Sequence, residues 1–506
     1  MFKQASLRVF ARPHQLQGLS RSCLRRSYGL SRYLTTSRSI ATFPSRLSAS
    51  ATAAAPKTSY PEEPQDLTDQ LAVDDLPIIS PDGSQVAVGW DTQTWSRFHN
   101  IWLRDHCRCP KCFHPVTKQR LFNTFDIPKD LTPLRVDATA VGLEVTWPSK
   151  EPHVSQYPWP WLKYNSYDPP LKKETPPLEK ILWGSKIQQS PPTVAYEEVM
   201  APDNRGLYKW LTNTYKFGFS FVSGVPATPE ATEELALRIG FIRETQYGKF
   251  WDFTSNLAKG DTAYTNLALA AHTDNTYFTD PCGLQLFHLL SHTDGTGGES
   301  LLVDGFYAAS IMKELHPDAY ALLSRVPVPA HAAGEPSALY TPYPQTGYPV
   351  LRHDPASGEL IQVRWNNDDR SVMNHLAPDE VEKWYDAIRL WNQCLTSPDS
   401  EYWVQLRPGT AVRTSLPSSP SPPLLPPSFP PLTHPISPVL DNHRVLHGRS
   451  SFTGKRRMCG AYIGVDEYRS KLAVLSEQFE PDAIVRATND IPEVNVNGRN
   501  IWNSAL

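Results

Sequence analysis

The sequence predicts a mainly β protein with flanking helices, in which a small β-rich domain precedes a larger β sandwich or barrel. Short stretches of alternating apolar and polar residues recur along the chain with turn residues between them, which is typical of strands. A longer apolar periodicity, as at 378–394, indicates helices packed outside the sheets. A chain of 506 residues has room for two such domains and tails.

The smaller domain is expected over residues 75–165 and the larger over 190–480. In the smaller domain, 85–88 and 143–147 alternate as half-buried strands do. In the larger domain the predicted strands are 218–222, 283–290, 300–303, 360–365, 403–406 and 458–463. Their spacing favours a sandwich or barrel.

Composition narrows the range of partners. The net charge is only −3, which gives no sign of nucleic-acid binding. No uninterrupted apolar run is long enough to span a bilayer, so we expect a soluble protein with no membrane partner. Three of the seven cysteines crowd into one loop, which favours a metal cluster over a disulfide framework.

Residues 1–60 are expected to be a mitochondrial transit peptide and linker. From Met1 to Pro61 there are eight arginines and no Asp or Glu, with many Ser, Ala and Leu between them. This composition is typical of a leader for import into the mitochondrial matrix. The alternative is a disordered basic tail, but the abrupt start of acidic residues at Glu62 and Glu63 favours a leader that is removed.

The loop WLRDHCRCPKCFHP, at 102–115, is a candidate zinc site. It holds three thiols in a C-x-C-x-x-C pattern: Cys107, Cys109 and Cys112. Thiolates at this spacing can converge on one Zn(II) ion, which takes four nitrogen or sulfur ligands in a closed structural site. His106 and His114 lie inside the same tight loop, so we expect His153 to fold back and supply the fourth ligand. The alternative is a loop of three free cysteines.

A second candidate metal site combines His272 and Asp274 with His447. His272 and Asp274 are two residues apart, so on a strand both side chains point to the same side. Two histidines and one carboxylate on one face of an ion leave positions open for a keto acid and dioxygen, as in non-haem Fe(II) oxygenases. The His-x-Asp pattern alone is weak, because two ordinary polar residues at a strand end would look the same.

An arginine further along makes the pattern more specific. Arg456 follows His447 by nine residues, on the next predicted strand. A guanidinium there can pair with both oxygens of the distal carboxylate of 2-oxoglutarate. Arg457 points to the opposite face and is the second choice, and Arg449 is expected to assist.

Three long segments carry a family resemblance: GDTAYTNLALAAHTDNTYFTDPCGLQLFH at 260–288, GTGGESLLVDGFYAA at 295–309 and HGRSSFTGKRRMCGAY at 447–462. They resemble the Fe(II)/2-oxoglutarate oxygenase family of the trimethyllysine and γ-butyrobetaine dioxygenases, over about 75–480. The resemblance implies a double-stranded β-helix (jelly roll), a zinc-binding N-terminal domain, a homodimer, and ascorbate to keep the iron reduced. It implies hydroxylation of trimethyllysine at carbon 3, the first step of carnitine synthesis.

The expected substrate is a quaternary ammonium, which cannot donate a hydrogen bond and is held by aromatic faces. Four residues match the aromatic-cage positions of γ-butyrobetaine dioxygenase: Tyr247, Trp251, Tyr264 and Tyr462. Asp261 would add a negative charge near the cage, and Asn366 or Asn367 would bind the polar end of the substrate. Each aromatic taken alone is more often a core residue.

Residues 413–438 do not fit the fold, since ten are Pro and six are Ser. They interrupt a strand that would otherwise run from 405–412 into 439–442 and on to His447. One hypothesis is a disordered, polyproline-like loop. The other is an unspliced intron translated in frame, whose removal would leave one Leu joining Val412 to Leu440. The cost of a Pro-rich insert in a core strand favours the second hypothesis.

Three functions stay open on the sequence. The first is trimethyllysine hydroxylation, which the import leader and the motifs GDTAYT and FTGKRRMCG favour. The second is γ-butyrobetaine hydroxylation at the same iron site. The third is a zinc-bearing binding protein whose iron site the insert has broken. His443, where the family has Trp, is expected to support the iron ligands without binding the metal.

Overall fold

The structure is a computed structural model that describes residues 77–171, 178–255, 262–332, 341–342, 346–408 and 436–479, and the backbone of 495–496 and 499–500. The chain separates into Met1–Thr68 and Asp69–Leu506, and every described residue belongs to the second unit. The predicted transit peptide, Asp261 and residues 409–435 of the Pro-rich segment lie outside the described residues.

The N-terminal part contains two antiparallel sheets of three strands each. Its elements are β1 (Ile78–Asp82), β2 (Gln85–Gly89), β3 (Trp95–His99), α1 (Asn100–Asp105), β4 (Arg135–Thr139), β5 (Gly142–Trp147), β6 (His153–Pro158) and α2 (Trp159–Tyr164), with a 3-10 turn at Thr124–Asp126. Strands β1–β3 form one sheet and β4–β6 the other. Val86 of β2, Phe98 of β3 and Val145 of β5 are fully buried in one shared core, so the alternation in the sequence places the apolar side of both sheets inward.

The larger part holds most of the helices and strands. Its strands are β7 (Thr193–Ala195), β8 (Phe219–Ser223), β9 (Phe250–Thr254), β10 (Leu269–His272), β11 (Leu284–Thr293), β12 (Ser300–Asp304), β13 (Pro327–Val328), β14 (Tyr348–Pro349), β15 (Leu351–His353), β16 (Leu360–Val363), β17 (Tyr402–Val404), β18 (Ile436–Asp441), β19 (Val445–Arg449) and β20 (Lys455–Ile463), followed by the backbone pair β21 (Asn495–Val496) and β22 (Arg499–Asn500). Its helices are α3 (Tyr196–Met200), α4 (Arg205–Phe217), α5 (Pro229–Ile239), α6 (Gly305–Leu315), α7 (Pro317–Arg325), α8 (Pro378–Leu395) and α9 (Val465–Phe479), with 3-10 turns at Ser185–Gln189 and Thr262–Tyr264.

Two sheets form the centre of this part. The larger has the strand order β7-β8-β18-β11-β20-β9, and the smaller has the order β10-β19-β12-β17. One buried cluster draws on both sheets, with Phe221 and Leu440 from the first and Leu302 and Val445 from the second. The prediction of a mainly β protein with flanking helices is confirmed by this arrangement.

Helices cover the outer faces of the sheets. Helix α4 packs on β8 and ends at Gly218, whose φ of +76° lies in the left-handed region that glycine adopts without strain. A Cβ at Gly218 would also come within 2.6 Å of the Val445 Cγ2 atom. The chain therefore turns directly from α4 into β8. Helix α8, predicted at 378–394, buries Trp384 and Trp391 against α6 and α7.

The eight strands predicted within the two domains all overlap strands of the structure, but 405–408 are not in a strand, and the expectation for 413–438 is wrong at its end. Ile436, Ser437 and Pro438 belong to β18, inside the six-stranded sheet. Strand β18 pairs with β11 only from Val439 onward, so Pro438 lies outside this pairing. The lack of a backbone N–H in Pro438 therefore breaks none of the paired positions. The Ser437 Oγ atom donates a hydrogen bond to the Phe287 carbonyl oxygen at 3.0 Å on that side. A proline can therefore stand in a strand here.

Within the part of the chain that the structure describes, no helix combines the length and apolar character needed to cross a bilayer.

Candidate active site

The strand register places two of the predicted iron ligands side by side. Strands β10 and β19 are antiparallel, and His272 is the direct partner of His447. Residues opposite each other in an antiparallel pair have neighbouring side chains on one face of the sheet. The two imidazole centroids are 4.4 Å apart.

Asp274 reaches the same point from a turn. Strand β10 ends at His272, so the prediction that Asp274 lies on the strand is wrong, although its side chain still meets the histidines. The Asp274 Oδ1 atom lies 3.3 Å from His272 Nε2 and 3.6 Å from His447 Nε2. The other carboxylate oxygen, Oδ2, accepts hydrogen bonds of 2.7 Å from Gln285 Nε2 and from the Tyr462 hydroxyl. One carboxylate oxygen and two imidazole nitrogens thus converge, which is the donor set that non-haem iron takes.

Asn442 fixes the turn that carries Asp274. Its Oδ1 atom accepts a hydrogen bond from the Asp274 backbone N–H at 2.7 Å. Its Nδ2 atom donates to the carbonyl oxygens of Asp274 and Cys282, at 3.0 and 3.1 Å. Asn442 is 2% exposed, so these bonds are shielded from water and hold the turn firmly.

The charges at the site favour a bound cation. Burial acts to raise the pKa of Asp274, but the charges of both histidines and the hydrogen bond from His272 lower it well below its usual value. Burial, together with the charge of His272, lowers the pKa of His447 to about 4. A permanently ionised carboxylate beside a neutral imidazole is a suitable pair of metal ligands. The His447 Nδ1 atom has no partner among the described residues, so its ring is free to take the tautomer that ligation requires.

His272, Asp274 and His447, which we call the triad, lie at the wall of a cavity lined by aromatic side chains. Six aromatic side chains line it together with the triad: Tyr247, Trp251, Phe253, Tyr264, Tyr277 and Tyr462. The ring centroids of Tyr247 and Tyr264 are 6.4 Å apart, as are those of Trp251 and Tyr462. The four predicted cage residues therefore meet around one space, and Phe253 joins them, 4.4 Å from Tyr264.

Polar side chains line the same cavity. They are Asn275, Gln285, Asn366, Asp368 and Asp369. The predicted Asn366 donates a hydrogen bond from Nδ2 to the Asp369 Oδ2 atom at 2.8 Å. Asn367, the alternative, is exposed and is not among the lining residues.

The three arginines have different surroundings. Arg456 is 2% exposed, its guanidinium carbon lies 5.1 Å from the Phe452 ring centre, and its Nε atom has no partner among the described residues. Burial, with the charge of Arg449, lowers the pKa of Arg456 to about 10. Arg457 is turned the other way and forms a bidentate ion pair with Asp252.

Arg449 is largely committed to the backbone. Its terminal nitrogens donate hydrogen bonds to the carbonyl oxygens of Ala263, Thr265 and Leu267, at 3.3, 2.8 and 2.8 Å. These contacts hold the segment that carries Tyr264 into the cavity. Of the three guanidinium nitrogens of Arg449, only Nε has no partner among the described residues.

The thiol cluster in the N-terminal part brings three sulfur atoms and one imidazole nitrogen close together. The distances from His153 Nε2 to the sulfur atoms of Cys107, Cys109 and Cys112 are 3.5, 3.6 and 3.5 Å. Ligands at the Zn–S and Zn–N distances of about 2.3 and about 2.0 Å, at a tetrahedral angle, are about 3.5 Å apart. Hydrogen bonds from Cys107 and Cys112 lower the pKa of Cys109, while hydrogen bonds to Cys109 raise the pKa of Cys107, so Cys109 is the thiol that ionises first.

The neighbouring histidines are engaged elsewhere. His106 Nδ1 lies 2.8 Å from the Trp102 carbonyl oxygen, and the His106 ring stacks on Trp102. His114 Nδ1 accepts hydrogen bonds from the backbone N–H groups of Val116 and Thr117. His153, on β6, is the histidine that the fold brings to the thiols.

His443 lies away from the triad. Its Nε2 atom is 3.4 Å from the Pro281 carbonyl oxygen, and burial lowers its pKa. It is buried beside the turn that Asn442 holds, and is not part of the metal-ligand group.

Several residues of the site were not predicted. Phe253 could have been found, because it alternates with Trp251 on one strand. Asn275 follows Asp274 directly, and Asp369 lies in the RWNNDDR motif that gave Asn366. Gln285 and Asn442 carry no local signal, since their contacts with Asp274 depend on distant strands meeting.

Comparison with known proteins agrees with the geometry. Residues 78–163 match the family model described as γ-butyrobetaine hydroxylase-like, N-terminal, and residues 176–413 match the taurine catabolism dioxygenase TauD, TfdA family. The fold and the site define an Fe(II)- and 2-oxoglutarate-dependent dioxygenase.

Similar proteins specify the family. Trimethyllysine dioxygenase of Meyerozyma guilliermondii is 42% identical over 423 residues, covering 80% of this chain and 97% of the relative. The mitochondrial trimethyllysine dioxygenase of Homo sapiens is 40% identical over 387 residues, covering 76% and 84%. The γ-butyrobetaine dioxygenase of Homo sapiens is 27% identical over 401 residues, covering 77% and 94%. The chain belongs to the trimethyllysine dioxygenase family.

Proposed function

We propose that this chain hydroxylates N6,N6,N6-trimethyllysine at carbon 3, the first step of carnitine biosynthesis, with Fe(II) and 2-oxoglutarate. The observation that carries the proposal is the opening of the triad His272, Asp274 and His447 into an aromatic cavity. The greater identity to trimethyllysine dioxygenases than to γ-butyrobetaine dioxygenase supports this substrate over the alternative.

The triad would hold iron through His272 Nε2, His447 Nε2 and Asp274 Oδ1. When bound, Fe(II) supplies the activation of dioxygen that couples oxidation of 2-oxoglutarate to hydroxylation of the substrate. Gln285 and Tyr462 occupy Asp274 Oδ2, so the carboxylate presents a single oxygen to the metal. This keeps the remaining positions of the metal open.

Arg456 would bind the distal carboxylate of 2-oxoglutarate. A buried guanidinium with an unpaired Nε is suited to a charge-assisted, bidentate pair with a carboxylate. Arg449 would mainly hold the segment that carries Tyr264, with its Nε directed to the cosubstrate. Ascorbate would keep the iron reduced.

The aromatic walls would bind the trimethylammonium group. Tyr247, Trp251, Tyr264 and Tyr462 line one space, and a cation over the face of an aromatic ring, within about 6 Å of its centre, is attracted by about 0.5–2 kcal/mol. Asp261 would add its charge to this cage. The substrate would then lie with its aliphatic chain across the triad.

We also propose a fold for the larger part, a structural metal, a location in the cell and an oligomeric state. The sheets of the larger part would form a double-stranded β-helix (jelly roll), which the TauD-type match supports. Cys107, Cys109, Cys112 and His153 would hold a structural Zn(II) ion. The mitochondrial relatives and the acid-free leader support a place in the mitochondrial matrix. A homodimer is proposed from the family alone.

The substrate is tested by separate reactions with trimethyllysine and γ-butyrobetaine. Residues 60–506 would be supplied with Fe(II), 2-oxoglutarate and ascorbate, and the products followed by mass spectrometry. We expect trimethyllysine to gain one oxygen while succinate forms. Oxidation of γ-butyrobetaine alone would overturn the choice of substrate. A chain that retains no iron and forms no product from either compound would favour the zinc-bearing binding protein.

We further propose that 413–438 derives from an unspliced intron. In the spliced chain, Ala411, Val412 and one Leu would take the places of Ser437, Pro438 and Val439 in β18. Val412 would supply the backbone N–H that Pro438 lacks, and its ladder bond to Phe287 would replace the bond from Ser437.

A spliced chain, with one Leu joining Val412 to Leu440, is expected to be more stable and more active than the full chain. Because the ladder bond replaces the side-chain bond from Ser437, the net gain is at most the roughly 1 kcal/mol of one hydrogen bond, and the expected increase in Tm is at most about 2 °C. A control shortened only within 413–435 retains Ile436–Pro438 and separates strand effects from loop length. Equal Tm and turnover in the full and spliced chains, with transcripts that always keep the segment, would show that it is a genuine loop.

A further inference from the structure

The cavity has acceptors that a trimethylammonium group cannot use. Beside its aromatic walls it presents the carboxylates of Asp368 and Asp369 and the amide of Asn275. A trimethylammonium nitrogen bears no hydrogen, so it gives these oxygens no hydrogen bond. The polar part of the cavity therefore requires a second group that carries N–H donors.

We propose that Asp369 and Asn275 form a subsite for the α-ammonium group of the substrate, and that this subsite selects an amino acid over a betaine without an amine. The proposal rests on the proposed function and specifies how the same site recognises its substrate. It makes Asp369 and Asn275 specificity-determining residues.

The location of Asp369 suits this role. The segment after β16 lies against the metal-binding turn, because Thr273 N–H donates to the Trp365 carbonyl at 2.7 Å and Trp365 N–H donates to Thr273 Oγ1 at 3.0 Å. From there the chain enters the cavity, where Asn366 Nδ2 orients the Asp369 carboxylate at 2.8 Å. Asp369 lines the same cavity as His272 and Tyr277. A cation near Asp369 is therefore close to the triad.

The chemistry of the substrate requires that proximity. In trimethyllysine, the ammonium-bearing carbon 2 is bonded to carbon 3, where oxidation takes place. When carbon 3 faces the metal, the α-ammonium group must lie beside the metal ligands, while the trimethylammonium group extends away into the aromatic walls. Asn275 follows the ligand Asp274 in the chain, and Asp369 lines the cavity with the ligand His272 on a segment that contacts Thr273, so both lie at the required end.

Asn275 has an acceptor directed for such a group. Its side chain is 3% exposed, and its Oδ1 atom has no partner among the described residues. Asn275 lines the cavity together with Tyr277, whose hydroxyl accepts a hydrogen bond from Gln246 Nε2 at 2.7 Å. A buried oxygen without a donor costs about 1–3 kcal/mol, so a bound N–H is favoured there.

Selectivity follows from both charge and hydrogen bonding. An ammonium group offers three donors and a positive charge to the Asp369 carboxylate and Asn275 Oδ1, which makes charge-assisted hydrogen bonds. A betaine such as γ-butyrobetaine has only a carboxylate at this end. It would leave Asn275 Oδ1 without a donor and place its own carboxylate beside that of Asp369.

The test compares L-trimethyllysine with its analogue that lacks the α-amine, 6-(trimethylammonio)hexanoate. We expect Asp369→Asn to lower the ratio of the two kcat/KM values by about tenfold or more. Asn275→Gly, in which glycine accepts the φ of +59° without strain, should lower the same ratio. Asp368→Asn tests the more exposed carboxylate of the same cavity and should lower the ratio less than Asp369→Asn does.

An unchanged ratio in Asp369→Asn, or an equal loss on both compounds, would overturn the subsite, since the residue would then be structural. A larger effect from Asp368→Asn would overturn its assignment to Asp369. If the parent chain oxidises neither compound, the proposed function fails. The subsite can then be tested without turnover, by measuring the dissociation constants of the two compounds by calorimetry in the parent and in Asp369→Asn. A ratio of the two constants that does not change in the variant would overturn the subsite.

Discussion

Replacing His447 by alanine is expected to lower turnover of trimethyllysine by at least about a thousandfold, or roughly 4 kcal/mol of transition-state stabilisation. His447 Nε2 lies with His272 Nε2 around one oxygen of Asp274. Removal of one imidazole leaves two ligands, too few to hold Fe(II) against dissociation. Turnover, together with iron content measured after dialysis, provides the check.

The matched control for this variant is His443→Gln. His443 is four residues away and buried, but it is directed toward the Pro281 carbonyl and away from the triad. We expect the control to retain its iron and most of its turnover. If His443→Gln loses iron as completely as His447→Ala does, the ligand assignment is wrong.

Cys107→Ser is expected to remove zinc and unfold the N-terminal part of the chain. The cluster joins the loop after α1 to β6, and the two small sheets around it share one core. Structural zinc contributes apparent folding free energies of about 10–16 kcal/mol in zinc-finger peptides. Loss of even a few kcal/mol would lower the Tm of a domain this size by about 10 °C or more. Zinc content and limited proteolysis measure the two effects.

His114→Ala is the control for the zinc prediction. His114 is in the same loop, but its imidazole accepts backbone hydrogen bonds and its nitrogen atoms are not in the ligand group. We expect this variant to bind zinc as the parent does. A Cys107→Ser chain with unchanged proteolysis and melting would contradict a structural role for the metal.

Much of the fold was predictable because its determinants are local. The alternation in 85–88 and 143–147 marks strands whose inward residues, Val86 and Val145 among them, are fully buried. The apolar spacing at 378–394 marks helix α8 in the same way. The spacing of Cys107, Cys109 and Cys112 restricts them to one point, and so the cluster could be inferred before the fold was known.

What the sequence did not reveal depends on contacts between distant segments. Gln285 and Asn442 both bind Asp274, but they lie on β11 and directly after β18, and only the strand pairing brings them there. The place of Asp274 in a turn was missed because the period of two in His-x-Asp looks the same in a strand and in the turn that follows it. Pro438 was wrongly excluded from a strand, because the end of the pairing with β11 at Val439 cannot be inferred from composition.

The central claim is that the triad directs oxidation to carbon 3 of trimethyllysine. The most direct test supplies trimethyllysine with both hydrogens of carbon 3 replaced by deuterium, together with Fe(II), 2-oxoglutarate and ascorbate. The account predicts a product that has gained one oxygen and lost one deuterium, with one succinate formed for each product. A product that gains oxygen and retains both deuterium atoms would place the oxidation elsewhere, and no product from iron-loaded protein would contradict the claim altogether.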